Sequence, residues 1–297
     1  MIYSIGEMLI DLMQENGKYI PFPGGAPANV AAHAKLSGAN AAFIGKISKD
    51  TFGLLLTDTL KSYGIHFPLP LSSKNTTLAV VSHVRGERSF SFYRTNTADL
   101  DLDIADIDCI PFKIKDILHL CSLGLVLQGT TRQAHYHAIN KCKEKDGIIS
   151  FDVNLRAGLW DDLSLAKEQV FNIFELSDII KVNEEELYWL TNSTSVEKGL
   201  RQIQTHNQLI ICTMGAKGAV TLTTRGNIIH TASISVEQID STGAGDSFIA
   251  TLLASLSKSG LELLEWQDTL LEEALNNAHK VSGQVVSKHG AVPIVLY

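Results

Sequence analysis

The stretch Ile239-Asp240-Ser241-Thr242-Gly243-Ala244-Gly245-Asp246-Ser247-Phe248 joins a β-rich run, 234–239, to a strongly helical run, 245–259. Its small residues let consecutive backbone N–H groups converge on one point. That point is also a helix N-terminus, with its partial positive charge. Together these predict an anion hole on the N–H groups of Gly243, Ala244, Gly245 and Asp246. Asp246 falls in the first helical turn. A carboxylate there is either a helix-stabilising charge or a general base beside a bound phosphate. No Gly-Lys-Ser/Thr follows and the spacing is not GxGxxG, so this is neither a Walker A loop nor a dinucleotide fingerprint.

Outward from this loop, apolar strand-like runs alternate with helical patterns. Strands are expected over 2–5, 41–44, 117–120, 148–152, 179–182, 209–213 and 219–223. Helices are expected over 29–36, 52–63, 131–144, 166–176, 184–191, 245–259 and 269–287. This alternation predicts an α/β fold, a mostly parallel β-sheet with helices on both faces. One region departs from it. Residues 76–94 read as two strands joined at Arg85-Gly86-Glu87, and 11–22 as extended with a turn at Glu15-Asn16-Gly17. These pieces predict a small separate β-sheet that covers the site. The expected division is a core of 1–10, 25–66 and 101–297, and a discontinuous lid of 11–24 and 67–100.

The chain has 297 residues, 45% hydrophobic and 19% charged, with a net charge of −7. At about 150 residues per domain, this length suggests two units with ample core. The acidic balance argues against nucleic acid as the main partner. The N-terminus has no basic region or cleavage site, and no apolar run reaches membrane-helix length, so a cytoplasmic location is expected. The four cysteines, Cys109, Cys121, Cys142 and Cys212, form no CxxC pair and read as reduced thiols.

The loop at 240–248 resembles the C-terminal signature of the ribokinase-like (PfkB) carbohydrate kinases. Gly24-Gly25-Ala26-Pro27-Ala28-Asn29-Val30-Ala31 resembles the N-terminal signature of the same family, and Gly45, Asp50 and Gly53 fit its continuation. The resemblance spans essentially the whole chain. It is closest to the fructokinase branch, through Gly6-Glu7-Met8-Leu9-Ile10-Asp11, Gly86–Arg94, Ala98-Asp99, Asp152-Val153-Asn154-Leu155-Arg156 and Leu159-Trp160. It implies a ribokinase-like fold and transfer of the ATP γ-phosphate to a sugar hydroxyl, fructose giving fructose 6-phosphate. The same fold also serves 2-keto-3-deoxygluconate, ribose and aminoimidazole riboside, and an inactive sugar- or nucleotide-binding regulator is the alternative of another class.

The resemblance implies roles for particular residues. Asp246 is the base, with Gly243, Ala244 and Gly245 around the transferring phosphate. The sugar is bound by Asp11, Gly24, Gly25, Asn29, Arg94 and Arg156, side chains and backbone suited to hydroxyls. Alternation allows only one of Phe92 and Tyr93 to face the site. The nucleotide is bound by Asn183, Thr213, Gly215, Gly218, Thr242 and His279; the family often has Asn where His279 falls. Glu186, three residues after Asn183, is the expected partner of Mg²⁺ through water, although Asn183 and Glu186 also read as a helix cap. Asp240 and Thr242 are the expected ligands of K⁺. ATP and Mg²⁺ are thus the expected cofactors, with K⁺ a further expectation, and a homodimer through the lid is the expected assembly.

Overall fold

In the computed structural model of the chain, residues 1–15, 17–84, 87–288 and 290–292 are described, without the side chains of 82–84 and 87–90. The expected turn residues Asn16, Arg85 and Gly86, and the terminal Pro293, lie outside the described residues. Among the described residues, the strands are β1 (Ile2–Ile5), β2 (Leu9–Glu15), β3 (Lys18–Gly24), β4 (Ala41–Ile44), β5 (Leu78–Val84), β6 (Glu87–Tyr93), β7 (Ile117–Cys121), β8 (Ile148–Asp152), β9 (Ile179–Asn183), β10 (Leu209–Thr213), β11 (Ala219–Leu222) and β12 (Ile228–Thr231). The α-helices are α1 (Ala26–Leu36), α2 (Thr51–Ser62), α3 (Ile104–Asp108), α4 (Thr130–Lys143), α5 (Leu163–Phe174), α6 (Glu184–Thr191), α7 (Val196–Ile203), α8 (Ala244–Ser259) and α9 (Asp268–Val286).

The uninterrupted apolar runs become an eight-stranded sheet of order β12-β11-β10-β9-β8-β7-β1-β4. It is parallel from β10 to β4, and β11 and β12 are added antiparallel. Strands covered on both faces carry continuous apolar sequence, because alternate side chains enter two cores. Ile2 and Ile117 face the core made with α1, α2, α8 and α9. Tyr3, Ile5, Leu118 and Leu120 face the core made with α4, α5, α6 and α7. The expected helices and strands thus recur, some with shifted ends. Helix α1 begins at Ala26 rather than Asn29, because Gly25 (φ 107°) turns the chain and Pro27 suits a first helical turn.

Two readings need correction. The run 234–239 forms no strand. Ile234 and Val236 instead pack against Gly283 of α9 and wall a cavity. The strand leading toward the loop is the earlier β12, which the sequence reading passed over, as it did α7.

The small sheet has order β3-β2-β5-β6, with β2 and β5 parallel and the other pairs antiparallel. It begins at Leu9, two residues before the expected lid boundary, and 67–77 contributes no strand to it. The first strand, β1, pairs with β4 on one side and β7 on the other. The chain therefore changes direction across the sheet at β1. Ligand crevices of open parallel sheets form outside the strand C-termini at such a switch point.

Candidate active site

A cavity of about 1030 Å³ opens at that place. It is lined by the residues at or just past the C-terminal ends of β1 (Glu7), β8 (Asp152, Asn154), β9 (Asn183) and β10 (Thr213). The start of α8 and strands β2 and β6 of the small sheet close its other sides. A second cavity of about 370 Å³ adjoins it, and both are lined by Thr213, Ser241 and Gly245.

Gly243 caps α8 in a left-handed conformation (φ 77°) and packs against the backbone of Ala291, leaving no room for a side chain. The amides of a first helical turn have no intrahelical partner. Gly243, Gly245 and Asp246 line the large cavity. Ala244 corrects the expected donor set. Its N–H turns back to the Ser241 carbonyl at 3.3 Å, and the residue faces the second cavity.

Asp246 stands in that turn, 9% exposed, and accepts a 2.8 Å hydrogen bond from Asn29 Nδ2 of α1. Burial pushes its carboxyl up to about 6; the Asn29 bond, Lys181 and Arg156 pull it down, and Asp152 pushes it further up. A helix-stabilising surface charge would be exposed and fully ionised. Asp246 is instead a buried carboxylate on the cavity wall, its pKa raised toward neutrality.

Beneath the loop lies a buried pair that the residue-by-residue reading gave no role. Lys181 Nζ reaches Asp152 Oδ2 at 2.7 Å, with both side chains almost fully buried. They are register partners on β8 and β9. A Cβ on Gly245 would stand 3.0 Å from Lys181 Nζ, so glycine there lets the helix start settle onto the ammonium. Burial alone would lower the lysine pKa, but Asp152, Glu186 and Asp246 together hold it above the ordinary value. The second oxygen of Asp152 is buried without a partner. The signal was present in sequence: a charged residue ends or interrupts each of two otherwise apolar strands.

Leu9, Asp11, Gly25, Asn29, Ser91, Phe92 and Arg156 also line the cavity. Gly24 packs against the Asp11 carboxylate, and Gly25 lets α1 approach the Glu7 carbonyl, where a Cβ would fall 2.6 Å away. Phe92 is the aromatic that faces the site, whereas Tyr93 is 64% exposed. Arg94 does not line the cavity. It is buried behind the wall with Nε 2.6 Å from Asp99 Oδ2, and Thr77 and Thr97 also donate to Asp99. The expectation of a sugar contact from Arg94 gives way to one of a post that fastens the end of β6.

Asn183 and Glu186 form a reciprocal cap on α6. Glu186 Oε2 accepts from Asn183 N–H at 2.9 Å and Oε1 from Leu155 N–H at 2.8 Å. Each oxygen accepts one backbone amide, and the residue lines neither cavity. These bonds tie α6 to the loop that carries Arg156 and leave each oxygen a lone pair for the expected metal-bound water. Asp240 is likewise engaged: Oδ1 accepts from Thr242 N–H and hydroxyl, and Oδ2 from Gly290 N–H at 3.1 Å. These bonds hold the loop in shape and leave Oδ2 a second lone pair, which is compatible with the expected K⁺ ligand. Thr213, Gly215, Gly218 and His279 line the second cavity, and Asn183 and Thr242 line the large one. His279 bonds Thr231 Oγ1 at 2.9 Å and meets Phe248 edge-on, so burial holds it neutral.

No helix among the described residues is long and apolar enough to cross a membrane. The family model for the pfkB family carbohydrate kinases matches residues 1–295. The chain is 35% identical to a fructokinase of Vibrio alginolyticus, over 98% of this chain and 94% of the relative. It is 32% identical to a fructokinase of Escherichia coli at the same coverage. The crystal structure of fructokinase from Vibrio cholerae O395 in its fructose, ADP and calcium ion bound form superposes with a TM-score of 0.86 at 34% identity, covering 98% of this chain and 94% of that one. Aminoimidazole riboside kinase from Salmonella enterica, complexed with aminoimidazole riboside and an ATP analog, gives a TM-score of 0.86 at 28% identity and the same coverage. A match that runs from residue 1 to residue 295, on a fold whose strand ends open into this cavity, places the chain in the pfkB family of carbohydrate kinases, phosphotransferases that act on a sugar hydroxyl.

Proposed function

We propose that the protein transfers the γ-phosphate of ATP to the 6-hydroxyl of fructose, giving fructose 6-phosphate and ADP. The observation that carries the chemistry is Asp246, a buried carboxylate oriented by Asn29 at the start of α8, on the wall of the larger cavity. What favours fructose is the likeness to a relative whose structure holds fructose and ADP. In this reading the sugar occupies the part of the large cavity under the small sheet, against Asp11, Gly25, Asn29 and Arg156. ATP lies along Asn183, Thr213, Gly215, Gly218 and Thr242 and enters the second cavity beside His279.

Phosphoryl transfer asks mostly for positioning and charge stabilisation. Asp246 takes the hydroxyl proton as the oxygen–phosphorus bond forms and the bond to the β-phosphate oxygen breaks. The N–H groups of Gly243, Gly245 and Asp246, with the Lys181 ammonium beneath them, stabilise negative charge on the transferring group. The small sheet acts as a lid that excludes water, the competing acceptor. Among the described residues, no three acidic, His or Cys side chains gather into a cation cage. Mg²⁺ would be carried mainly by the phosphates and water, with Asp152 a residue that could help hold it. When bound, Mg²⁺ would neutralise charge between the β- and γ-phosphates. The outer strand of the lid exposes Tyr19 (50%) and Ile20 (37%), an apolar surface that a second copy of the chain would cover.

The test is ADP release with ATP and Mg²⁺, with and without K⁺, across fructose, glucose, ribose, tagatose, 2-keto-3-deoxygluconate and aminoimidazole riboside. A large preference for fructose is expected. Preference for another member would keep the Asp246 chemistry and reassign the acceptor pocket. Nucleotide binding without turnover on any sugar would point to a regulator.

A further inference from the structure

Glu7 has no task in the transfer just described, yet its position is tightly built. It follows β1 at the switch point of the sheet. A Cβ on Gly6, the residue before it, would stand 2.6 Å from Pro27 Cγ, and Gly25 packs on its own carbonyl. The backbone is therefore clamped between β1 and the start of α1. The side chain is 4% exposed and lines the large cavity beside Leu9, Asp11 and Asn29. Its Oε2 atom is buried without a hydrogen-bond partner.

A buried carboxyl oxygen left unpaired keeps its full desolvation penalty. A fold does not carry that cost at the wall of a ligand cavity without return, and the simplest return is a partner on the ligand. Arg94 is near enough to attract the carboxyl but gives Oε2 no hydrogen bond. We propose that Glu7 hydrogen-bonds a sugar hydroxyl other than the one phosphorylated, and so sets which acceptors the enzyme takes. This rests on the sugar-kinase reading and adds a specificity residue to it. The chemistry is apt. Burial raises the Glu7 carboxyl to about 7, with Arg94 and Arg156 pulling it down and Asp99 pushing it up. Near neutrality such a group both donates and accepts, as a hydroxyl does. His135 of α4 lies behind Gly6, and its burial lowers it to about 4, so it stays neutral there.

The experiment measures kcat and KM for fructose and for its 1-, 3- and 4-deoxy analogues, with wild type, Glu7→Ala and Glu7→Gln. A site built around a hydroxyl rejects the analogue lacking it far more strongly than one built on apolar contact does. Wild type should therefore penalise one analogue by about 100-fold or more in kcat/KM. In Glu7→Ala the KM for fructose should rise about 10-fold or more, and the penalty for that one analogue should fall to within about 3-fold, the others keeping theirs. Wild-type discrimination against every analogue in Glu7→Ala would overturn the proposal. If near-UV circular dichroism shows that Glu7→Ala does not fold, the isosteric Glu7→Gln decides. Between pH 7 and 8, above the titration of Asp246, the fructose KM of wild type should change and that of Glu7→Gln should not; the same change in both would overturn it. Failure of the kinase reading looks different, because wild type then releases no ADP with any sugar.

Discussion

The large sheet and the small sheet both wall the same cavity, but they are buried differently. In β1, β4 and β7 every residue is buried, and the charged groups among such strands are paired, as Lys181 is with Asp152. In β2 and β3 burial fades along the strand, from Leu9 and Ile10 inside to Glu15 and Lys18 outside. A wall covered on both faces holds groups rigidly enough for chemistry. A wall covered on one face offers contacts that can be made and released. The core groups beneath the start of α8 should therefore govern kcat, and the small sheet, with Glu7 beside it, KM.

Substitutions can break that division. Asp246→Asn keeps the shape and removes the base, so kcat should fall about 1000-fold in steady-state assays with little change in KM. An unchanged kcat would dismiss Asp246 as the base. Lys181→Met should lower kcat about 100-fold by removing charge beneath the anion hole. It also strands Asp152 without its partner, which should cost about 3–5 kcal/mol of stability in urea denaturation. On the small sheet, Asp11→Ala should raise the fructose KM about 30-fold while kcat stays within about 3-fold, the loss of a charged hydrogen bond to the substrate. A kcat loss as large as that of Lys181→Met would erase the distinction between the two walls.

The mildest probe is pH. Only ionised Asp246 accepts the proton, and its pKa is raised to about 6. The kcat/KM should thus be level above about 7 and fall toward tenfold per unit below about 6. Stability from the same group runs the other way. A carboxylate with a raised folded pKa favours folding when protonated, fully below its unfolded value of about 4, and loses that contribution as pH rises through about 6. Acid should therefore weaken catalysis while this one residue strengthens the fold.

What was legible in the sequence follows from how local the physics is. The turn at Gly243, the helix after it and the place of Asp246 are properties of a few adjacent residues, and they stand as expected. The Asp152–Lys181 pair escaped because it is set by strand register, which joins residues 29 apart. Arg94 had the right chemistry for a ligand, but Asp99, five residues on, captures it. The run 234–239 was read as a strand because its alternating apolar residues cannot tell a ladder from a cavity wall. Glu186 read as a cap that can also order metal-bound water, and its two backbone amides show the cap.

The hydrogen bond from Asn29 to Asp246 spans 217 residues of sequence. Its consequence concerns synthesis. The chain emerges from the ribosome with Asn29 early and Asp246, the proposed base, late, and neither is complete alone. Until α8 has been made and docked on α1, no carboxylate is aimed at a hydroxyl and no amide turn receives a phosphate. A partly synthesised chain is therefore silent toward ATP, and loss of the final helices should silence it again.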